Sequence, residues 1–157
     1  MSDPRQAIER YVTEAVDQEH LTLVGAAERD WDLLVPSYWK ESVAVSLHVG
    51  DRTLKAEAFF MRAPEENAAE AYRLLLQRNE RGGPWRFCAN EAGDATLVAL
   101  VPLDAVTEDE LDRLLGTLVT MTDETYKPYM ELAFQRGLED QVRRGGPGLD
   151  QPPPWAK

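Results

Sequence analysis

The sequence predicts an α+β domain in which helices cover one face of an antiparallel sheet. Two neighbouring segments alternate apolar and polar residues, three stretches repeat apolar residues at helical spacing, and turn residues separate them. A chain of 157 residues can bury roughly 70% of its unfolded surface, so one core suffices. The predicted order is α-β-β-β-α-β-β-α, a two-layer sandwich over residues 1–142, followed by a proline- and glycine-rich tail over 143–157.

The first helix is predicted to begin at Ser2-Asp3-Pro4, because a capping side chain followed by proline favours a helix N-terminus. Apolar residues at helical spacing continue it: Ile8, Tyr11, Val12, Ala15 and Val16. A short strand is predicted over 31–35, where Pro36 would end it.

The next two strands form a hairpin. Residues 43–49 and 54–61 alternate between two faces, and Gly50-Asp51 lies between the two segments. Glycine at the first central position suits a two-residue type II′ turn, which pairs Leu47 with Leu54. A loop of three residues would place apolar side chains opposite charged ones, so the two-residue turn is favoured.

The second half of the chain repeats the helix–strand pattern. A helix is predicted from Ala63-Pro64 to about Asn79, and strands over 85–90 and 96–101 are joined by a turn at 91–94. The second helix is expected to bury Ala68, Tyr72, Leu75 and Leu76. Thr107 to Glu110 is a capping box before a third helix. Pro128 predicts a break or kink in it, and Trp155 is a candidate anchor for the tail.

The net negative charge of the chain limits the classes of partner that it can bind. The formal net charge is −11, and residues 103–140 contribute ten acidic against three basic residues. Such a surface repels phosphate backbones and anionic lipid, so neither a nucleic acid nor a membrane is expected as partner. The acidic helices either keep the protein soluble or dock a basic partner.

Cysteine usage and hydropathy indicate the compartment. Cys88 is the single cysteine, which excludes an internal disulfide and fits a reducing compartment. The first twenty residues lack the apolar run of a signal peptide, and no segment has the ~20 apolar residues that span a bilayer. The prediction is a cytoplasmic protein.

No catalytic motif is present. The sequence contains no phosphate-binding glycine loop, HExxH or CxxC, so no cofactor or metal is expected. His48, Glu57 and Cys88 are the best candidates for catalytic residues, on the outer face of the sheet. The predicted hairpin register puts Glu57 opposite Ala44, about 13 Å along the strand from His48, which argues against a catalytic set. We therefore expect no enzymatic activity.

The outer face also carries apolar residues. Phe59 and Met61 are predicted to point the same way as Lys55 and Glu57, and apolar side chains on a solvated face are typical of an interface. The alternative is that a loop or the tail covers them. The candidate interface residues are Phe59, Met61, Ala44, Cys88 and Trp39.

Several segments resemble the YbjN-like family, whose members are also described as sensory transduction regulators. They are Lys40 before the hairpin, residues 58–67 (AFFMRAPEEN), 75–79 (LLQRN), Gly93-Asp94, Val106-Thr107, 110–116 (ELDRLLG) and 131–134 (ELAF). The resemblance covers roughly residues 30–136. It implies a fold similar to that of the type III secretion chaperones, which usually dimerise and bind partner polypeptides. It implies no cofactor and no catalytic residues.

The sequence therefore leaves three functions open. The first is a non-catalytic protein-binding or chaperone-like regulator that acts through a sheet face as a homodimer. The second is a regulatory or structural subunit that docks through its acidic C-terminal helices. The third is an enzyme with an unrecognised carboxylate or Cys88 site.

Overall fold

A computed structural model describes residues 3–81 and 83–156. Six antiparallel strands form one open sheet in the order β1-β2-β3-β4-β6-β5. The strands are β1 (Thr22–Ala26), β2 (Asp30–Ser37), β3 (Glu41–Val49), β4 (Thr53–Met61), β5 (Trp85–Ala89) and β6 (Ala95–Pro102). The helices are α1 (Pro4–Asp17), α2 (Ala68–Asn79), α3 (Glu108–Ala133) and α4 (Gln135–Arg143), and a short 3₁₀ turn covers Leu103–Ala105.

One hydrophobic core lies between the sheet and three helices. Along β2, β3, β4 and β6 the burial alternates strictly, so that one face is buried and the other is open. The apolar sides of α1, α2 and α3 pack on this inner face, and α4 packs against α3. The predicted α+β fold with helices on one face of an antiparallel sheet is confirmed.

The first strand of the sheet was not predicted. β1 pairs with β2 from Thr22↔Leu34 to Ala26↔Trp31, through an irregularity between Leu23 and Gly25. β2 is longer than predicted and contains Pro36, which pairs with Ser42 of β3. Because β1 pairing ends at Leu34, β2 has one neighbour at Pro36, where a residue without an N–H is tolerated.

The predicted turn of the hairpin is wrong by one position. Val49 pairs with Leu54 and Val45 with Ala58, and the Gly50 N–H donates to the Thr53 carbonyl at 2.9 Å. The loop therefore centres on Asp51-Arg52 rather than on Gly50-Asp51. A shift of two residues in register keeps every side chain on its predicted face, because the side-chain period of a strand is two.

The helix boundaries also differ from the prediction. Ser2 lies outside the described residues, and Asp3 caps α1 by accepting the Arg5 N–H at 2.9 Å. α2 begins at Ala68, so Ala63-Pro64 lies in a loop. Ala71 and Leu75 are its buried residues, whereas Leu76 is 68% exposed.

Of the predicted break or kink at Pro128, the break is wrong, because the third helix runs without interruption past this residue. Thr107 caps it as predicted, because its hydroxyl accepts the Glu110 N–H at 3.1 Å. Buried residues lie on both sides of the proline: Thr122, Thr125, Tyr129 and Ala133. Their packing explains why one missing backbone hydrogen bond does not end the helix.

Candidate functional site

The outer face of the sheet is open to solvent. Every outward-pointing residue of β2, β3, β4, β5 and β6 is exposed or half-buried. Phe59 is 47% exposed and Leu100 is 60% exposed. Large apolar side chains on a solvated strand surface are typical of an interface.

Apolar side chains lie on the outer face of four neighbouring strands, with charged side chains between some of them. The strand register places Leu34 beside Ala44, Phe59 beside Thr96, and Cys88 on the far side of Thr96. Val98 and Leu100 lie further along β6, two and four residues from Thr96, where they pair with Glu57 and Lys55 of β4. We call Leu34, Ala44, Phe59, Val98 and Leu100 the outer apolar patch.

Val98 and Leu100 were missed in the sequence analysis. The signal is the alternation of β6, in which Leu97 and Ala99 are buried on the inner face and the intervening residues must point outward. Apolar residues at both the inward-pointing and the outward-pointing positions of a strand therefore indicate that both faces of the sheet are packing surfaces.

The charged residues of the outer face nearly balance one another. His48 Nδ1 lies 2.7 Å from Asp30 Oδ1, and Lys55 Nζ lies 3.4 Å from Glu57 Oε2. Ser46 Oγ donates to Asp32 at 2.8 Å. Most of the net negative charge of the chain therefore lies elsewhere.

Met61 does not belong to the outer face, contrary to the prediction. The β4–β6 register shifts between Phe59 and Met61, so that Met61 pairs with the buried Ala95 and packs against the core. A bulge inserts one residue and turns the following side chain to the other face.

Trp39 also lies away from the patch. Its ring stacks on Tyr126 of α3, with centroids 5.6 Å apart and planes within 5°. The Asp123 carboxylate fixes this corner, because it accepts hydrogen bonds from Ser37 Oγ at 2.7 Å and from the backbone N–H groups of Tyr38 and Trp39 at 3.2 Å. Trp39 therefore belongs to the contact between the β2–β3 loop and α3.

The candidate catalytic residues are not brought together. Glu57 pairs with Ser46 rather than with Ala44, so the predicted 13 Å separation from His48 is wrong; the two are diagonal neighbours, roughly 7–8 Å apart. Glu57 is nevertheless engaged by Lys55, and His48 by Asp30. Cys88 lies three strands away from His48 across the sheet and about four residues away along the strand direction. The distance between the two residues is therefore roughly 19 Å.

Lys40 lies in the turn between β2 and β3, and burial perturbs its ammonium group. Its ammonium donates to the Phe59 carbonyl at 3.1 Å and to the Phe60 carbonyl, and it stands 5.3 Å from the centroid of the Phe59 ring. Burial lowers the pKa of Lys40 to about 8. The group therefore holds the start of β3 against the end of β4.

The lowered pKa of Lys40 predicts that stability rises with pH. Between pH 8 and 10 the folded state loses this proton while the unfolded chain, with an ordinary pKa of 10.5, keeps it. A shift of the pKa from 10.5 to about 8 corresponds to at most about 3 kcal/mol, and solvent screening of the half-buried ammonium reduces the expected rise in the free energy of unfolding below that limit. Urea denaturation at several pH values measures this change in the free energy of unfolding.

Two variants test the assignment to Lys40. Lys40→Met should abolish the rise in stability between pH 8 and 10, and Lys55→Met should retain it. An unchanged rise in Lys40→Met would contradict the assignment.

Over 3–81 and 83–156, no group of three or more His, Cys, Asp or Glu side chains has the geometry to hold a metal ion. Within the same ranges, none of the helices combines the length and the apolar character that crossing a bilayer requires.

Most of the chain matches a protein-family model. Residues 8–129 match the profile of the YbjN family, described as "Putative bacterial sensory transduction regulator". The uncharacterized protein Rv0487 of Mycobacterium tuberculosis is 34% identical over 105 residues, which are 67% of this chain and 57% of the relative. The uncharacterized protein ML2442 of Mycobacterium leprae is 33% identical over 95 residues, 60% of this chain and 52% of the relative. The chain thus spans about half the length of these relatives.

Solved structures show the same fold at low sequence identity. The Yersinia pestis type III secretion chaperone SycH, solved with a stable fragment of YscM2, matches with a TM-score of 0.52 and 15% identity, over 76% of this chain and 96% of that one. A chain of the heterodimeric ExoU-SpcU complex from the type III secretion system of Pseudomonas aeruginosa matches with a TM-score of 0.50 and 17% identity, over 76% and 95%. The predicted likeness to type III secretion chaperones is therefore confirmed for the fold.

Proposed function

Because the chain belongs to the YbjN family and has a fold like that of type III secretion chaperones, we propose that it is a non-catalytic, protein-binding regulator. It forms a homodimer through the outer face of its sheet. The observation that carries this proposal is the outer apolar patch, with Phe59 near its centre and 47% exposed. SycH was solved with a fragment of another protein, which supports a polypeptide partner.

Charge favours a second copy as the occupant of this face. Two molecules with a net charge of −11 repel each other over most of their surface. The outer face is the exception, because Lys55 and Arg86 accompany Asp30, Asp32 and Glu57 there. In a two-fold interface each patch meets its own copy, so basic residues of one copy can face acidic residues of the other.

The size of the face fits a stable dimer. Six strands are about 24 Å wide at ~4.8 Å per spacing, and the central strands are about 26 Å long. The projected area is of the order of 600 Å², comparable to the ~800 Å² of accessible surface that each partner of a standard interface buries. Two such sheets would pack face to face about 10 Å apart.

Cys88 offers a direct test, because it is exposed at the margin of the patch. The rate of its alkylation by iodoacetamide should fall about tenfold or more as the protein concentration is raised, since a thiol covered by a second copy reacts mainly from the monomer. Repeating the series in high salt separates the two routes: association through the apolar patch persists, whereas docking through the acidic helices weakens. A rate that is independent of concentration would contradict the proposed dimer.

The cytoplasm is the proposed compartment. The exposed thiol of Cys88 remains reduced there, whereas an oxidising compartment would favour its modification or pairing.

A further inference from the structure

The proline-rich tail lies on an aromatic corner of the domain. Trp155 donates its indole N–H to the Tyr38 carbonyl at 2.6 Å, and Asp150 pairs with Lys127 of α3 at 3.2 Å. The residues between them, including Pro152, Pro153 and Pro154, lie over Trp39 and Tyr126. The tail therefore returns across the domain after α4.

Three glycine residues allow the tail to follow this path close to α4. A Cβ atom on Gly146 would lie 2.7 Å from the Gln141 side chain and 2.9 Å from its carbonyl oxygen, and one on Gly148 would lie 2.9 Å from Val142. Gly145 has a positive φ of 84°, which favours glycine. Only small residues allow the backbone to pass so close to α4.

Ring stacking and hydrogen bonds hold the floor under the tail. The parallel stack of Trp39 on Tyr126 is fixed by the hydrogen bonds of Asp123 to the β2–β3 loop. Met130 of α3 and Leu138 of α4 complete an apolar groove. Neither aromatic ring belongs to the buried core, whereas Met130 packs against it.

The tail fills this groove incompletely. A cavity of about 160 Å³ remains between the tail and the floor, and Trp155 is 40% exposed. Residues 144–156 contain no helix or strand. A segment with so few buried contacts opens at a low free-energy cost.

We propose that this groove, formed by Trp39, Tyr126, Met130 and Leu138, is a binding site for proline-rich polypeptide segments that carry an aromatic residue, and that the tail occupies it as an internal ligand. Proline segments lose little entropy on binding and dock on grooves lined by aromatic rings. The tail shows which chemistry fits: proline residues over the stack, an indole N–H for the Tyr38 carbonyl and an acid for Lys127. A partner segment of this kind binds when the tail leaves.

The family profile covers part of the groove floor. The family profile covers residues 8–129, which include Trp39 and Tyr126 but not the tail. Trp39 and Tyr126 thus lie within the shared domain, whereas Met130 and Leu138 of the floor, and the tail that occupies it, lie outside the matched region.

The test uses the full chain and a fluorescent peptide with the sequence of residues 147–157. In the wild type the tail competes for the groove, and the apparent affinity for the peptide is reduced by the fraction of molecules in which the groove is closed. Trp155→Ala removes the indole hydrogen bond of the tail, so fluorescence anisotropy should show peptide binding at least about tenfold tighter than in the wild type. Equal affinity in the two proteins would overturn the proposal.

Variants of the floor complete the experiment. In the Trp155→Ala background, Tyr126→Ala should abolish peptide binding, and Leu138→Ser on α4 provides a second floor variant if the first does not fold. Leu76→Ser, at an exposed position of α2, should leave peptide binding unchanged. Undiminished binding in a folded floor variant would place the peptide elsewhere and overturn the assignment of the groove.

Discussion

Replacement of Phe60 by alanine is expected to lower the free energy of unfolding by about 3–5 kcal/mol. The Phe60 ring is fully buried, and it meets the rings of Phe87 and Tyr129 edge-on at centroid distances of 5.1 and 5.4 Å. Its loss leaves a cavity at the centre of the core and also removes two aromatic pairs. Urea denaturation followed by circular dichroism measures the change.

Phe59 is the matched control, because the same side chain one residue earlier points to the opposite face. Phe59→Ala should cost less than about 1 kcal/mol of stability under dilute conditions, where no second copy covers the ring. A cost equal to that of Phe60→Ala would mean that the outer face is packed within the monomer.

The effect of Phe59→Asp should instead appear in self-association. A large aromatic residue near the centre of an interface is a typical hot spot, and its loss commonly costs 2 kcal/mol or more. A carboxylate in its place would also be buried without a partner when the two sheets meet. We expect the dissociation constant of the dimer to rise by about a hundredfold or more.

The faces of the sheet could be predicted from the sequence, but the register could not. Alternation over 43–49 and 54–61 identifies which side chains are buried, and all of these assignments up to Phe60 agree with the structure. A shift of two residues leaves the alternation unchanged, so the pattern alone cannot distinguish a turn at Gly50-Asp51 from one at Asp51-Arg52. The hydrogen bond of Gly50 to Thr53 decides between them.

The missed strand and the uninterrupted third helix have different causes. β1 is an edge strand of five residues with no buried member, so it shows no alternation that could be recognised. The local signal at Pro128 favours a break, but burial of Thr125 and Tyr129 on either side maintains the helix. At Pro128 tertiary contacts outweigh the local pattern, whereas β1 has no pattern of its own and is defined by its pairing with β2.

The candidate interface was only partly predictable. Phe59, Ala44 and Cys88 lie on the outer face, as strand periodicity indicates. Met61 could not be placed, because a bulge between paired strands leaves no mark in one strand alone. Trp39 could not be assigned either, since its partner Tyr126 lies 87 residues further along the chain.

The measurement that tests the central claim most directly is analytical ultracentrifugation of the wild type, Phe59→Asp and Leu76→Asp over one concentration series. Leu76 is 68% exposed on α2, so its variant introduces the same charge on the helical side of the molecule. The proposed interface predicts a dimer for the wild type and for Leu76→Asp, and a monomer for Phe59→Asp at the same concentration. A wild type that stays monomeric throughout, or a Phe59→Asp variant that associates as strongly as the wild type, would contradict it.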